Sequence, residues 1–248
     1  MTRAGPSLRR RSLLASAGAL ALPHRAGTAE AEAVDLVLVL AVDVSRSIDD
    51  EEARLQREGY QAAMADPRVV AAIGGGAAGA IAVAYVEWAG YTYQRLVVPW
   101  MRVATAADAA AWSARLGRAP RESMSWTSLS GALAFSRRVL AVCPFEAARR
   151  VVDVSGDGAN NSGPSPEEER DRLVDEGVVI NGLPIVNDRP NFGVAPGPEL
   201  EPYYREFVIG GPGAFLVVAE DFASFGDAIR RKLVQEIAGG PAVPPAGG

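Results

Sequence analysis

VDLVLVLAVDVSRS, residues Val34 to Ser47, is a continuous apolar run that leads straight into Asp43, Ser45 and Ser47. A run this short, rich in Val and bounded by polar residues, predicts a strand buried on both faces. Acidic residues suited to a helix start follow at once, so the polar end falls where strand meets helix. Open α/β sheets bind their ligands at such strand ends. One carboxylate and two hydroxyls at alternate positions converge if the chain curls into a loop there. All three are hard oxygen donors, the kind Mg²⁺ prefers.

Outward from this stretch, Asp49 to Met64 reads as an amphipathic helix with an acidic first turn, ended by Asp66-Pro67. Gly79 to Trp88 is a second buried strand. Tyr91 to Val103 is a third, which Pro99 places at a sheet edge or ends early; the glycine and aromatics between the two suggest a hairpin. A short Ala-rich helix, Ala106 to Leu116, precedes a polar loop from Arg118 to Trp126, and Thr127 opens a helix running to about Val142. Arg149 to Ser155 is a buried strand ending in Gly156-Asp157-Gly158, followed by a loop carrying Asn160 and Asn161. A charged helix from Pro166 to Glu176 leads to a strand at Gly177 to Pro184. Ile185 to Pro202 is a Pro/Gly-rich segment, either an exposed loop or an insertion; Tyr203 to Val208 is a short helix, Ala214 to Ala219 a last strand, and Asp221 to Ile237 an amphipathic closing helix. Strands alternating with helices, and apolar runs in place of period-two strands, predict a doubly wound α/β fold: one mostly parallel central sheet flanked by helices.

The two ends differ from this domain of residues 34–238. Arg9-Arg10-Arg11, a modest apolar run from Leu13 to Leu22 and a small-residue stretch to Ala33 predict an export signal over residues 1–31, with a partial twin-arginine pattern. The apolar run is too short to span a bilayer. Residues 239–248 read as a disordered Pro/Gly tail. The expected location is therefore the periplasm or the cell exterior, without stable membrane insertion.

The leader holds five of the 25 basic residues and one of the 30 acidic ones, so its removal leaves 20 against 29, a net charge of −9. So acidic a chain is poorly suited to neutralise phosphates, and no nucleic-acid partner is expected. The only histidine, His24, lies in the leader, which excludes Ser-His-Asp and Cys-His catalysis and His-ligated metals from the mature chain. Cys143 is the only cysteine, so no intramolecular disulfide can form; it reads as a buried or half-buried thiol in place of a nucleophile. Chemistry in the mature chain falls to oxygen.

Three groups of oxygen donors lie at strand ends or helix starts: Asp43-x-Ser45-x-Ser47, Thr127, and Asp157. Each also has a purely structural role open to it. Ser47 with Asp50 resembles a capping box, Thr127 suits an N-cap, and Asp157-Gly158 suits a turn. Asp153 competes with Asp157, because Asp153-x-Ser155-x-Asp157 repeats the first spacing; Asp157 stands at the end of the apolar run beside glycines and is the preferred donor.

Taken together, the set resembles the metal-ion-dependent adhesion site (MIDAS) of von Willebrand factor A domains, and the resemblance runs from about Val34 to Ile237. Within that family the chain looks most like a bacterial group of exported proteins of unknown function. One departure stands out: Trp126 occupies the position before the threonine where the family usually carries glycine. The resemblance implies a non-enzymatic module in which Asp43, Ser45, Ser47, Thr127 and Asp157 hold Mg²⁺, with Mn²⁺ or Ca²⁺ as alternatives. It also implies a protein partner offering an Asp or Glu carboxylate to the metal. Two other readings are a phosphate-ester hydrolase with Asp43 as nucleophile, and a structural subunit whose metal only stabilises its loops.

Overall fold

The eight residues of strand β1, Leu36–Asp43, are all buried, and their alternation divides two cores between the faces of one sheet. Leu36, Leu38, Leu40 and Val42 belong to one core; Val37, Val39 and Ala41 belong to the other. Each fully buried side chain contributes about 1.5–3 kcal/mol relative to exposure, and both faces need it, which is why the sequence shows a run and not an alternation. The computed structural model describes residues 1–2, 31–186 and 199–239. Most of the leader at 1–31 and of the tail at 239–248, and residues 187–198 of the Ile185–Pro202 loop, therefore lie outside the described residues.

The elements follow as α1 (Asp50–Ala65), α2 (Pro67–Gly74), β2 (Ile81–Trp88), β3 (Gln94–Val103), α3 (Ala106–Arg118), α4 (Leu129–Ala141), β4 (Arg150–Gly156), α5 (Glu167–Asp175), β5 (Val179–Pro184), α6 (Leu200–Tyr203) and α7 (Phe225–Ala238). The sheet order is β3-β2-β1-β4-β5, parallel except for β3. β3 is the antiparallel edge partner of β2, and its register with β2 shifts on the stretch that contains Pro99, the place where an edge strand tolerates a missing N–H. A separate two-residue ladder pairs Glu32–Ala33 with Phe145–Glu146. This is the doubly wound α/β architecture expected from the sequence.

Two elements differ from expectation. Asp66-Pro67 ends α1 but also starts α2: the Asp66 side chain accepts a hydrogen bond from Arg68 N, with proline in the first turn. Ala214 to Ala219 is not a sixth strand. It touches β5 only through isolated parallel bridges at Gly182–Leu216 and Ile185–Ala219, because the edge is shared: Ile180 pairs antiparallel with Gly210, and Asn181 Oδ1 takes Phe215 N at 2.9 Å. No helix among the described residues is long and apolar enough to cross a membrane.

α1 and α7 pack on the same face. Tyr60 meets Phe225 and Tyr85 edge-on, at 5.4 and 5.3 Å between centroids. A Cβ on Gly59 would sit 2.9 Å from the Phe225 ring, so the close approach of α1 to α7 requires glycine there. The same face carries polar residues from β4, Asp153 and Ser155, both fully buried. Ser155 Oγ bonds Tyr60 OH at 3.0 Å, and Asp153 pairs with Lys232 of α7 at 2.6 Å. Lys232 also meets Glu236 at 2.5 Å, and Asn181 donates to Glu236 at 2.9 Å.

Burial, then the neighbouring Glu236, raise the Asp153 carboxyl to about 7 despite Lys232. The native state therefore holds a proton between about pH 4 and 7 that the unfolded chain has released. This contribution is complete below the unfolded value and is lost as the pH rises through 7. Denaturant unfolding at pH 5, 6, 7 and 8 should show stability declining across that window, and Asp153→Asn should flatten the decline.

Candidate metal centre

The C-terminal end of β1 delivers Asp43, fully buried, to the top of the sheet. Its Oδ1 accepts the Ser45 N–H at 2.7 Å, which curls the chain there and leaves Ser45 buried and Ser47 at the surface. Ser45 and Ser47 hydroxyls lie 3.0 Å apart, and Ser47 donates to Asp157 Oδ1 at 2.7 Å. Ser47 is not the helix cap. Asp49 caps α1, accepting from Glu51 N and Glu52 N at 3.0 and 2.9 Å while Glu52 takes Asp49 N at 2.9 Å. The Ser47 hydroxyl is thereby left to the site.

Asp157 follows the last residue of β4, between two glycines, of which the packing demands the first. A Cβ on Gly156 would lie 2.9 Å from Asp43 Oδ2, and one on Gly158 would lie 3.4 Å from Thr127 Oγ1. Asp153, four residues earlier, faces α7 and is committed to Lys232. Thr127 is buried and is not a cap either, since Ser128 caps α4 through Gly131 N at 3.1 Å. Its backbone is clamped by the next loop: Thr127 N donates to Asn161 Oδ1 at 2.8 Å, and Thr127 O accepts from Asn161 N and Ser162 N at 2.9 and 3.1 Å. Asn160 Oδ1 takes Ser130 N at 3.3 Å. The two asparagines thus tie the Thr127 loop to the Asp157 loop. All five sequence-selected residues gather at this edge of the sheet.

Burial, then the charge of Asp157, push the Asp43 carboxyl well above the usual carboxylate range. Its Oδ2 has no hydrogen-bond partner among the described residues. A residue that the sequence reading missed lies here too. Tyr204 opens a π-helical turn, Tyr204–Val208, continuing α6; its buried hydroxyl lies 3.0 Å from the Gly156 Cβ position that Asp43 Oδ2 also approaches, and has no hydrogen-bond partner among the described residues. Burial, then the charges of Asp43 and Asp157, raise its phenol. Nothing in its spacing marks it; the sequence reads only as a short helix.

Glu87 is buried but committed, paired with Arg57 and, at 2.8 Å, with Arg95. Arg95 also reaches Pro120 O at 2.6 Å and so anchors the start of the Thr127 loop. The chain's one lysine, Lys232, is held by Asp153 and Glu236, so no lysine stands beside Asp43 as the hydrolase reading requires. Cys143 is half-buried, and burial raises its thiol, the environment of an inert cysteine.

Among the described residues no group of three or more His, Cys, Asp or Glu side chains is placed to hold a metal ion. The set gathered here consists of two carboxylates and three hydroxyls. Such donors fit a hard divalent cation, and an orphaned buried carboxylate oxygen fits it further.

Comparison with solved structures places this geometry on a known fold. Among the similar chains is von Willebrand factor type A from Catenulispora acidiphila, at 15% identity and TM-score 0.59 over 82% of this chain and 43% of that one. Another is proximal thread matrix protein 1 from the mussel byssus with a zinc-occupied MIDAS motif, at 18% and 0.57 over 84% and 47%. A third is the vWF domain of the type V pili tip protein Mfa5 from Porphyromonas gingivalis, at 11% and 0.52 over 85% and 99%. The chain spans less than half the length of the first two. At these identities the likeness is one of fold. No curated protein matches the chain by sequence. Residues 33–241 match the model of the family described as "Protein of unknown function (DUF1194)", and the chain therefore belongs to that family, on a von Willebrand factor A fold.

Proposed function

We propose that this chain is an exported recognition module that binds Mg²⁺ through Asp43, Ser45, Ser47, Thr127 and Asp157 and uses it to hold a carboxylate of a protein partner. The observation that carries the reading is Asp43 Oδ2: a fully buried carboxylate oxygen with no hydrogen-bond partner among the described residues, beside a second carboxylate and three hydroxyls. A buried carboxylate is costly unless it is neutralised by a proton or a cation. When bound, the ion would supply positive charge at this edge and retain positions open to an outside oxygen ligand. The hydroxyls add donors without adding charge, which leaves the cation able to attract an external acid. The pilus and byssus proteins that share the fold carry such domains outside the cell, and an export leader at residues 1–31 agrees with that setting.

Affinity capture from an envelope extract tests the reading, using the parent chain and Asp43→Ala, each with Mg²⁺ and with chelator. A partner held by the parent in Mg²⁺ and lost in the other three conditions is the expected result. Equal capture in all four would remove recognition from this site. Calorimetric titration with Mg²⁺ checks the ligand set separately: Ser47→Ala and Thr127→Ala should each weaken binding by about tenfold or more.

A further inference from the structure

Trp126 is the one residue other than glycine among the described residues with a positive φ, at 73°. A bulky side chain in that region costs on the order of 1–3 kcal/mol and persists where the surroundings over-determine it. Here they do. The residue after it is clamped by Asn161 and Ser162, Ser128 N donates to Ala89 O at 2.8 Å, and Met124 bridges to Ser45. Gly90 is bare so that Ser125 O can approach: a Cβ there would lie 2.9 Å from that oxygen and 3.4 Å from Trp126 Cβ. Glycine would occupy position 126 without strain. The strained tryptophan packs into no core, since Trp126 is 66% exposed.

Its neighbours extend the same surface. Tyr91 is 48% exposed, and its ring rests against Gly163, where a Cβ would sit 2.4 Å away. Tyr91 N donates to Ser162 Oγ at 3.2 Å, and that hydroxyl is within 3.8 Å of the Gly90 Cβ position that Trp126 also approaches. Met124, 41% exposed, lies beside Ser45. Tyr91, Met124 and Trp126 are three of the six exposed large hydrophobics among the described residues. Met124 pairs with Ser45, Trp126 precedes Thr127, and Tyr91 is tied to Ser162, whose N–H bonds Thr127 O. Arg46, between the two serines, is exposed and makes no hydrogen bond or ion pair among the described residues. Tryptophan, tyrosine and arginine are the side chains that dominate binding energy at protein interfaces.

We infer that Trp126, with Tyr91 and Met124, forms an apolar rim that selects the partner: an acidic segment whose site-bound Asp or Glu stands within two residues of an aromatic or large aliphatic side chain. The inference rests on the metal reading above and adds specificity to it. The acid reaches the centre while the neighbouring apolar side chain covers the Trp126 indole, and Arg46 supplies the charge that favours an acidic segment. The clamp fixes the backbone that carries the indole before binding, so the loop loses little ordering entropy.

A phage-displayed random dodecapeptide library, bound to the purified full-length protein in Mg²⁺ and eluted with chelator, tests this. Synthetic peptides from the eluted pool are then titrated against the parent and Trp126→Gly. The glycine variant removes both the indole and the strain, so its melting temperature should not fall, while affinity for the peptides should fall at least about tenfold. Replacing the apolar neighbour in the peptide by serine should weaken the parent by a similar factor and leave Trp126→Gly unaffected. Chelator-eluted peptides that carry an acid but no apolar neighbour, or that bind Trp126→Gly as tightly as the parent, would overturn the rim and leave the metal reading standing. A library yielding nothing that chelator releases would overturn both.

Discussion

Lys232→Met should destabilise the protein by about 3–5 kcal/mol, a fall of roughly 10 °C in melting temperature, the largest loss expected from any single change considered. Among the described residues, Lys232 is the only cation in direct contact with the buried carboxylates Asp153 and Glu236. Its removal leaves two acids facing one another in the core, with Asn181 the remaining donor to Glu236. Methionine keeps most of the volume and the contact with the Phe215 ring, over which the ammonium now sits at 5.2 Å. The loss is therefore electrostatic and should be greater at pH 8 than at pH 5, where the two acids can take up protons. The triple variant Lys232→Met, Asp153→Asn, Glu236→Gln should recover much of the stability, because no ionised group then remains without a partner. Urea unfolding of both variants at the two pH values distinguishes these outcomes. An equal loss at pH 5 and pH 8 would mean that packing, and not charge, governs the site.

The second large effect belongs to Asp43. At a Mg²⁺ concentration about a hundred times its dissociation constant, the parent should gain about 2.7 kcal/mol, or some 5–10 °C in melting temperature. Asp43→Asn should gain nothing from Mg²⁺. In chelator, however, the variant should be at least as stable as the parent. Its amide keeps an acceptor for the Ser45 N–H, now 2.7 Å from Oδ1, and it removes a buried charge that faces Asp157. A merely structural aspartate would behave in the opposite way, with its loss destabilising the protein in both conditions. Differential scanning calorimetry with and without Mg²⁺ reads this crossing directly.

Much of this architecture was legible in the sequence because both signals were local. The apolar run from Leu36 to Val42 could serve only a doubly covered strand, and Asp43-x-Ser45-x-Ser47 fell at its end, where a ligand edge belongs. What escaped depended on contacts across the fold. Ala214 to Ala219 has the composition of a strand, but whether it pairs is settled by Gly210 and Asn181 at the far edge of the sheet. The α2 helix escaped because an Asp-Pro pair was read as a stop, when the same pair also caps and starts a helix. Tyr204 reaches the Asp43 and Asp157 end of the sheet from a π-helical turn 47 residues beyond Asp157, and no spacing rule could connect the two. The sequence did mark Trp126 as a departure at a glycine position; the backbone supplied its meaning, an aromatic held at positive φ on the rim of the site.

The measurement that bears most directly on the central claim is an anomalous difference map from a crystal soaked in Mn²⁺, which has the charge and ligand preferences of Mg²⁺ and a usable X-ray signal. A single strong peak among the Ser45, Ser47 and Thr127 hydroxyls and the two carboxylates, absent from Asp43→Asn crystals soaked in the same way, is the predicted result. A map with no peak there, or with its only peaks elsewhere on the chain, would contradict it.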